Sequence, residues 1–109
     1  MPKPLIERKT PRYQMQVRIF FVSGTEEGEG VVQNLCKDGC CVLCEGAARN
    51  GAEIHAWIYF PDYEWPLKVD RAVVRWTKEN QFGLQFLELQ PAQRERLRTV
   101  LAEKKFRVG

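Results

Sequence analysis

The sequence predicts an all-β fold: a six-stranded antiparallel barrel with one C-terminal α-helix. Three observations carry the prediction. Short runs alternate apolar residues with their neighbours at period 2, as half-buried strands do. Clusters of Gly, Asn, Asp and Pro punctuate those runs at intervals of roughly ten residues, the spacing of sandwiches and barrels. After Pro91 the apolar spacing becomes helical.

Residues 1–12 hold three prolines and the cations Lys3, Arg8, Lys9 and Arg12. Proline lacks a backbone donor and fixes φ, so this segment reads as a basic, mobile arm rather than a helix or central strand. Val17, Ile19 and Phe21 then define a first strand, and residues 23–28 a turn cluster. Gly30-Val31-Val32-Gln33 begins a second strand, interrupted by Asn34-Leu35-Cys36-Lys37-Asp38-Gly39. Residues 40–44 form a third strand and 46–51 a loop. In the fourth, Ile54, Ala56, Ile58 and Phe60 share one face. Residues 67–76 and 82–87 supply the fifth and sixth, joined by a turn at 78–80. Pro91 suits a first helical turn, where its missing N–H costs nothing. Leu97, Val100 and Leu101 give that helix an apolar stripe over about three to four turns. Such a helix would cover an open end or edge of the sheet.

The chain has 109 residues, enough for one core. With 44% hydrophobic residues it is not a disordered tail. A net charge of +3 is too slight for a nucleic-acid coat, yet a small anion needs only a few placed cations. No apolar run is long enough to span a bilayer, and no apolar stretch follows the basic N-terminus as in a secretory signal. The expected compartment is the cytoplasm, where Cys36, Cys40, Cys41 and Cys44 stay reduced.

Two motifs flank the first strands. Arg8-Lys9-Thr10-Pro11-Arg12 reads R-x-x-x-R, and Asn34-Leu35-Cys36-Lys37-Asp38-Gly39 reads N-x-C-x-x-G. Ala72-Val73-Val74-Arg75-Trp76 and Phe82-Gly83-Leu84-Gln85-Phe86 complete the pattern. Together they resemble the PilZ domain family, whose pattern is R-x-x-x-R followed roughly 20–30 residues later by [D/N]-x-S-x-x-G. The resemblance covers nearly the whole chain. It implies a six-stranded antiparallel PilZ-type β-barrel over 13–109, a flexible arm over 1–12, and cyclic di-GMP as ligand, with no further cofactor. It also implies that Arg8 and Arg12 wrap the ligand while Asn34, Cys36 and Gly39 hold it on the barrel.

The chemistry of these residue types agrees. A guanidinium pairs bidentately with phosphate or with guanine O6 and N7, and stacks on bases. Asn34 offers an acceptor and two donors to a guanine edge. Gly39 permits a turn with φ > 0 and close approach of a ligand. Cys36 departs from the family's serine. A thiol is the weaker hydrogen-bonding group, and losing one neutral hydrogen bond costs about 0.5–1.5 kcal/mol, roughly tenfold in affinity. Family members with an additional arginine before the motif bind a stacked ligand dimer. Glu7 stands there, which points to one ligand per chain.

Other residues carry less. The cysteine spacing invites a zinc reading, but a strand sends Cys40 and Cys44 to one face and Cys41 to the other. His55 has no partner by spacing and reads as an exposed strand residue. Trp57, Trp65 and Trp76 read as core or helix-packing residues before base platforms. Glu26, Glu27 and Glu29 read as a solvated loop. Neither a catalytic constellation nor a phosphate-cradling loop is present, so no enzyme is expected. The leading expectation is a stand-alone cyclic di-GMP receptor that changes its arm conformation and signals in trans to a protein partner. The alternative is a PilZ-like interaction module with weak or lost nucleotide binding. An RNA- or DNA-binding barrel would need more than Arg18, Arg71 and Arg75 on one face.

Overall fold

The computed structural model describes residues 17–45, 48–61 and 63–104. Six strands close into a barrel: β1 (Arg18–Ser23), β2 (Glu26–Cys36), β3 (Gly39–Leu43), β4 (Glu53–Tyr59), β5 (Leu67–Lys78) and β6 (Gln81–Glu88). One helix, α1 (Pro91–Lys104), follows. Around the barrel the order is β1-β2-β3-β6-β5-β4, every pair antiparallel. The barrel is thus two meanders, β1–β3 and β4–β6, joined along two seams. β1 pairs with β4 at one seam, and β3 with β6 at the other.

Inward positions fill the interior without a buried polar side chain among the described residues. Phe21 meets Phe82 edge-on across the barrel, with ring centroids 5.4 Å apart. Ile19, Val42, Ile58, Val69 and Val74 surround them and are almost fully buried. The period of β5 slips midway: Leu67 and Val69 point in, then Ala72 and Val74. A bulge at residues 70–71 causes the slip, because Ile54 pairs with Ala72 but Ala56 with Val69. The bulge frees the Asp70 carbonyl, to which His55 Nδ1–H donates at 2.6 Å.

Several boundaries differ from the sequence-based expectation. The first turn is only Gly24-Thr25, with Gly24 at φ 64° as a two-residue hairpin loop requires. Glu26, Glu27 and Glu29 therefore lie on β2 rather than in a loop. β2 also runs through Asn34 to Cys36, so the expected interruption shrinks to Lys37-Asp38.

α1 begins at Pro91, as expected, with Arg94 N–H donating to the Gln90 carbonyl at 2.9 Å. Leu97 and Val100 are buried beneath it. The Arg96 guanidinium donates to the Trp65 and Pro66 carbonyls at 2.6 and 2.9 Å, and Gln93 accepts from Lys68 N–H at 3.0 Å. Tyr63 O–H donates to Glu103 at 2.6 Å. The helix thus caps the barrel beside the start of β5. Because the barrel is closed, it shields no strand edge. None of the three tryptophans belongs to the core. Trp65 is 70% and Trp76 42% exposed, and Trp57 packs on the outer face against Phe20. A barrel this narrow fills with smaller side chains and leaves indoles outside. Among the described residues no helix is long and apolar enough to cross a membrane.

Candidate ligand-binding face across β2, β3, β6 and β5

Asn34 takes φ 52°, the left-handed conformation that Asn tolerates better than most residues. It sits in a bulge: Gln33 pairs with Cys41, yet Cys36 pairs with Gly39, so β2 holds one extra residue. That residue flips the phase of the strand. Leu35 packs against the core, while Asn34 and Cys36 stay exposed. Without the bulge, Asn34 and Cys36 would point into the barrel.

Gly39 serves a different purpose from the one expected. Its φ is not positive; the left-handed residue is Asn34. A Cβ at position 39 would strike the Leu84 carbonyl, so the glycine lets β3 approach β6 closely. Phe86 N–H donates to the Asp38 carbonyl at 2.8 Å and holds the Lys37-Asp38 turn against β6. Asn34, Cys36 and Gly39 are therefore gathered around one turn, as expected. Arg8 and Arg12 lie outside the described residues, as does the whole 1–12 arm.

The same face continues onto β6 and β5. Cys41 pairs with Gly83, and Gly83 with Trp76. A Cβ at Gly83 would collide with the Trp76 indole, so its absence lets the ring lie against the sheet backbone. One row over, Gly39 pairs with Gln85, whose Oε1 accepts from Arg75 Nε at 2.6 Å. A second bulge, between Val74 and Trp76, turns both Arg75 and Trp76 outward. At a strand spacing of about 4.8 Å the face spans roughly 14 Å from β2 to β5. The sequence weighs Arg75 only as a nucleic-acid contact and ranks Trp76 as a core or helix-packing residue before a base platform; it assigns Gln85 no site role. Alternation across Val74-Arg75-Trp76 sends Trp76 inward, and only the bulge, which no motif marks, reverses it.

Of the four cysteines only Cys36 is exposed. Burial pushes the Cys40 thiol pKa far up, with further upward contributions from the neighbouring Cys41 and Cys36. Burial also raises Cys41 and Cys44. The thiols diverge, since Cys40 and Cys44 belong to the core while Cys41 bonds outward to Gln81 at 3.5 Å.

A cleft of about 580 Å³ opens elsewhere, between the β1–β2 hairpin and the segment after β3. Glu26, Glu27, Glu29 and Glu45 line it against one described cation, Arg49. That lining repels a bis-phosphate. The other cations weighed for nucleic acid are largely neutralised. Arg18 faces Glu29 at 3.5 Å, and Arg71 sits between Glu53 at 2.8 Å and Glu88 at 3.6 Å.

The fold and face define a small closed barrel with an exposed turn and an exposed indole on one side. The PilZ domain family model matches residues 6–103, and the chain belongs to that family, whose domains are cyclic di-GMP receptors rather than enzymes. The chain is similar to the PilZ domain of CeSA from a cellulose-synthesizing bacterium, with TM-score 0.66 and 11% identity over 83% of this chain and 93% of that one. It is also similar to the Bacillus subtilis inhibitor of motility MotI/DgrA, with TM-score 0.70 and 16% identity over 97% of this chain and 55% of that one. At these identities both show the fold. No curated protein matches the chain.

Proposed function

We propose that this domain is a cyclic di-GMP receptor that acts as an adaptor in the cytoplasm. The ligand lies on the face built by Asn34, Cys36, Gly39 and Trp76, clasped by Arg8 and Arg12, one ligand per chain. The observation that carries this reading is where the chain enters β1. Val32 N–H donates to the Val17 carbonyl at 2.7 Å, so Val17, the first described residue, lies beside a position two residues before Asn34. Arg12 is five residues upstream of Val17, a reach of up to about 17 Å. That exceeds the two strand spacings, about 10 Å, from β1 to the motif turn between β2 and β3, which supports access of both arginines to a nucleotide resting there. Folding the arm over the ligand then alters the surface offered to a protein partner. The likeness in fold to an inhibitor of motility is compatible with a regulatory output.

Calorimetric titration tests this. The wild type should give saturable heat with cyclic di-GMP, and Arg12→Ala should bind at least about tenfold more weakly, the worth of a charge-assisted contact. Silence from the wild type at about 100 μM protein would sink the receptor reading, since a Kd near 1 μM needs only about 8 kcal/mol. One observation favours the second reading, an interaction module with weakened binding: the exposed Cys36 thiol occupies the serine position of the motif. Cys36→Ser should then tighten binding by up to about tenfold.

A further inference from the structure

Arg75 carries an unused recognition edge. Its Nε is fixed by Gln85 Oε1 at 2.6 Å, and no partner among the described residues meets Nη1 or Nη2. Arg18, Arg71 and Arg98 each face a carboxylate. Arg75 instead meets a neutral amide, which orients the guanidinium without cancelling its charge. Gln85 is itself placed by the backbone, paired with Gly39 on one side and Val73 on the other. The fork is therefore mounted on the barrel, beside the motif turn and next to the exposed Trp76 indole.

We infer that Arg75 reads a guanine stacked on Trp76, its two Nη groups donating to the O6 and N7 acceptors of that base. This rests on the receptor reading above and adds a residue that confers base specificity. A base lying on the Trp76 face presents its edge, not its phosphate, to the adjacent side chain. The end-on fork left free by the Gln85 contact matches the two acceptors that guanine displays side by side. Adenine places an amino donor where guanine has O6, so donor would face donor. Arg8 and Arg12 remain for the phosphates.

The test is a cycle of two proteins and two ligands, measured by calorimetry on the full chain. Wild type and Arg75→Ala are titrated with cyclic di-GMP and with its analogue carrying carbon in place of guanine N7. Arg75→Ala should weaken cyclic di-GMP binding at least about tenfold. The penalty for the analogue should be at least about threefold smaller in Arg75→Ala than in wild type, because the two changes remove one shared contact. Arg75→Lys should resemble alanine, since an ammonium lacks the fork. Arg75 is exposed, and an unchanged melting temperature checks the fold of both variants. Wild-type binding untouched by Arg75→Ala overturns this inference and leaves the receptor reading standing. Equal analogue penalties in both proteins, or rescue by lysine, also overturn it, because they place the cation on a phosphate. No binding by the wild type overturns both.

Discussion

At Asn34 one backbone angle decides which side chains of β2 reach solvent. An L-residue in the left-handed region costs roughly 1–2 kcal/mol, less for Asn, and glycine avoids the cost. Asn34→Ala should therefore lower stability by about 1 kcal/mol in urea melts, while Asn34→Gly should hold or raise it. Both variants lose the amide, so both should bind cyclic di-GMP more weakly. A stable glycine variant that still bound fully would show that the position serves the bulge alone. The motif residues Asn34, Cys36 and Gly39 were legible in the sequence as a cluster, because they surround one turn. Their backbone roles were not. The positive φ assigned to Gly39 belongs to Asn34, and Gly39 answers to a contact with Leu84 that lies 45 residues downstream. Local sequence has no access to such a contact.

At the scale of the element, α1 and the 63–66 segment act as a latch. The apolar part is Leu97, which is almost fully buried. Its polar part is Arg96, which holds the carbonyls of Trp65 and Pro66. Leu97→Ala should cost about 2–5 kcal/mol, the range for a buried leucine. Arg96→Ala should cost less, about 1–3 kcal/mol, because water can reach the released carbonyls. Thermal melts of the two variants check the order. The helix was legible from Pro91 and the spacing of Leu97, Val100 and Leu101. The strands were legible by alternation, but their irregularities were not. Bulges at Asn34, at residues 70–71 and beside Arg75 each shift the phase by one residue. The last of these turns Trp76 onto the candidate face. Trp76 reads from the sequence as a core or helix-packing residue because a large aromatic side chain usually buries its area in packing, whereas the bulge turns it outward.

At the scale of the molecule, the two-meander layout sorts the contacts by range. Hairpins within β1–β3 and β4–β6 join near neighbours. The seams do not: Arg18 pairs with Tyr59 and Gly39 with Gln85, separations of 41 and 46 residues. Closing such loops costs entropy before any contact repays it, so barrels of this kind fold in milliseconds to seconds. Stopped-flow refolding should show one exponential phase in that window, and microsecond folding would contradict seam closure as the slow step.

The proposed ligand face straddles the β3–β6 seam. Asn34, Cys36 and Gly39 come from one meander, and Trp76, Arg75 and Gln85 from the other. A molecule bound there is a suture across the line where the halves part. Saturating nucleotide would then slow the parting of the halves and leave formation of the hairpins unaffected. The signal would also be a change of lifetime: a partner waiting for the loaded receptor would meet a barrel that opens less often.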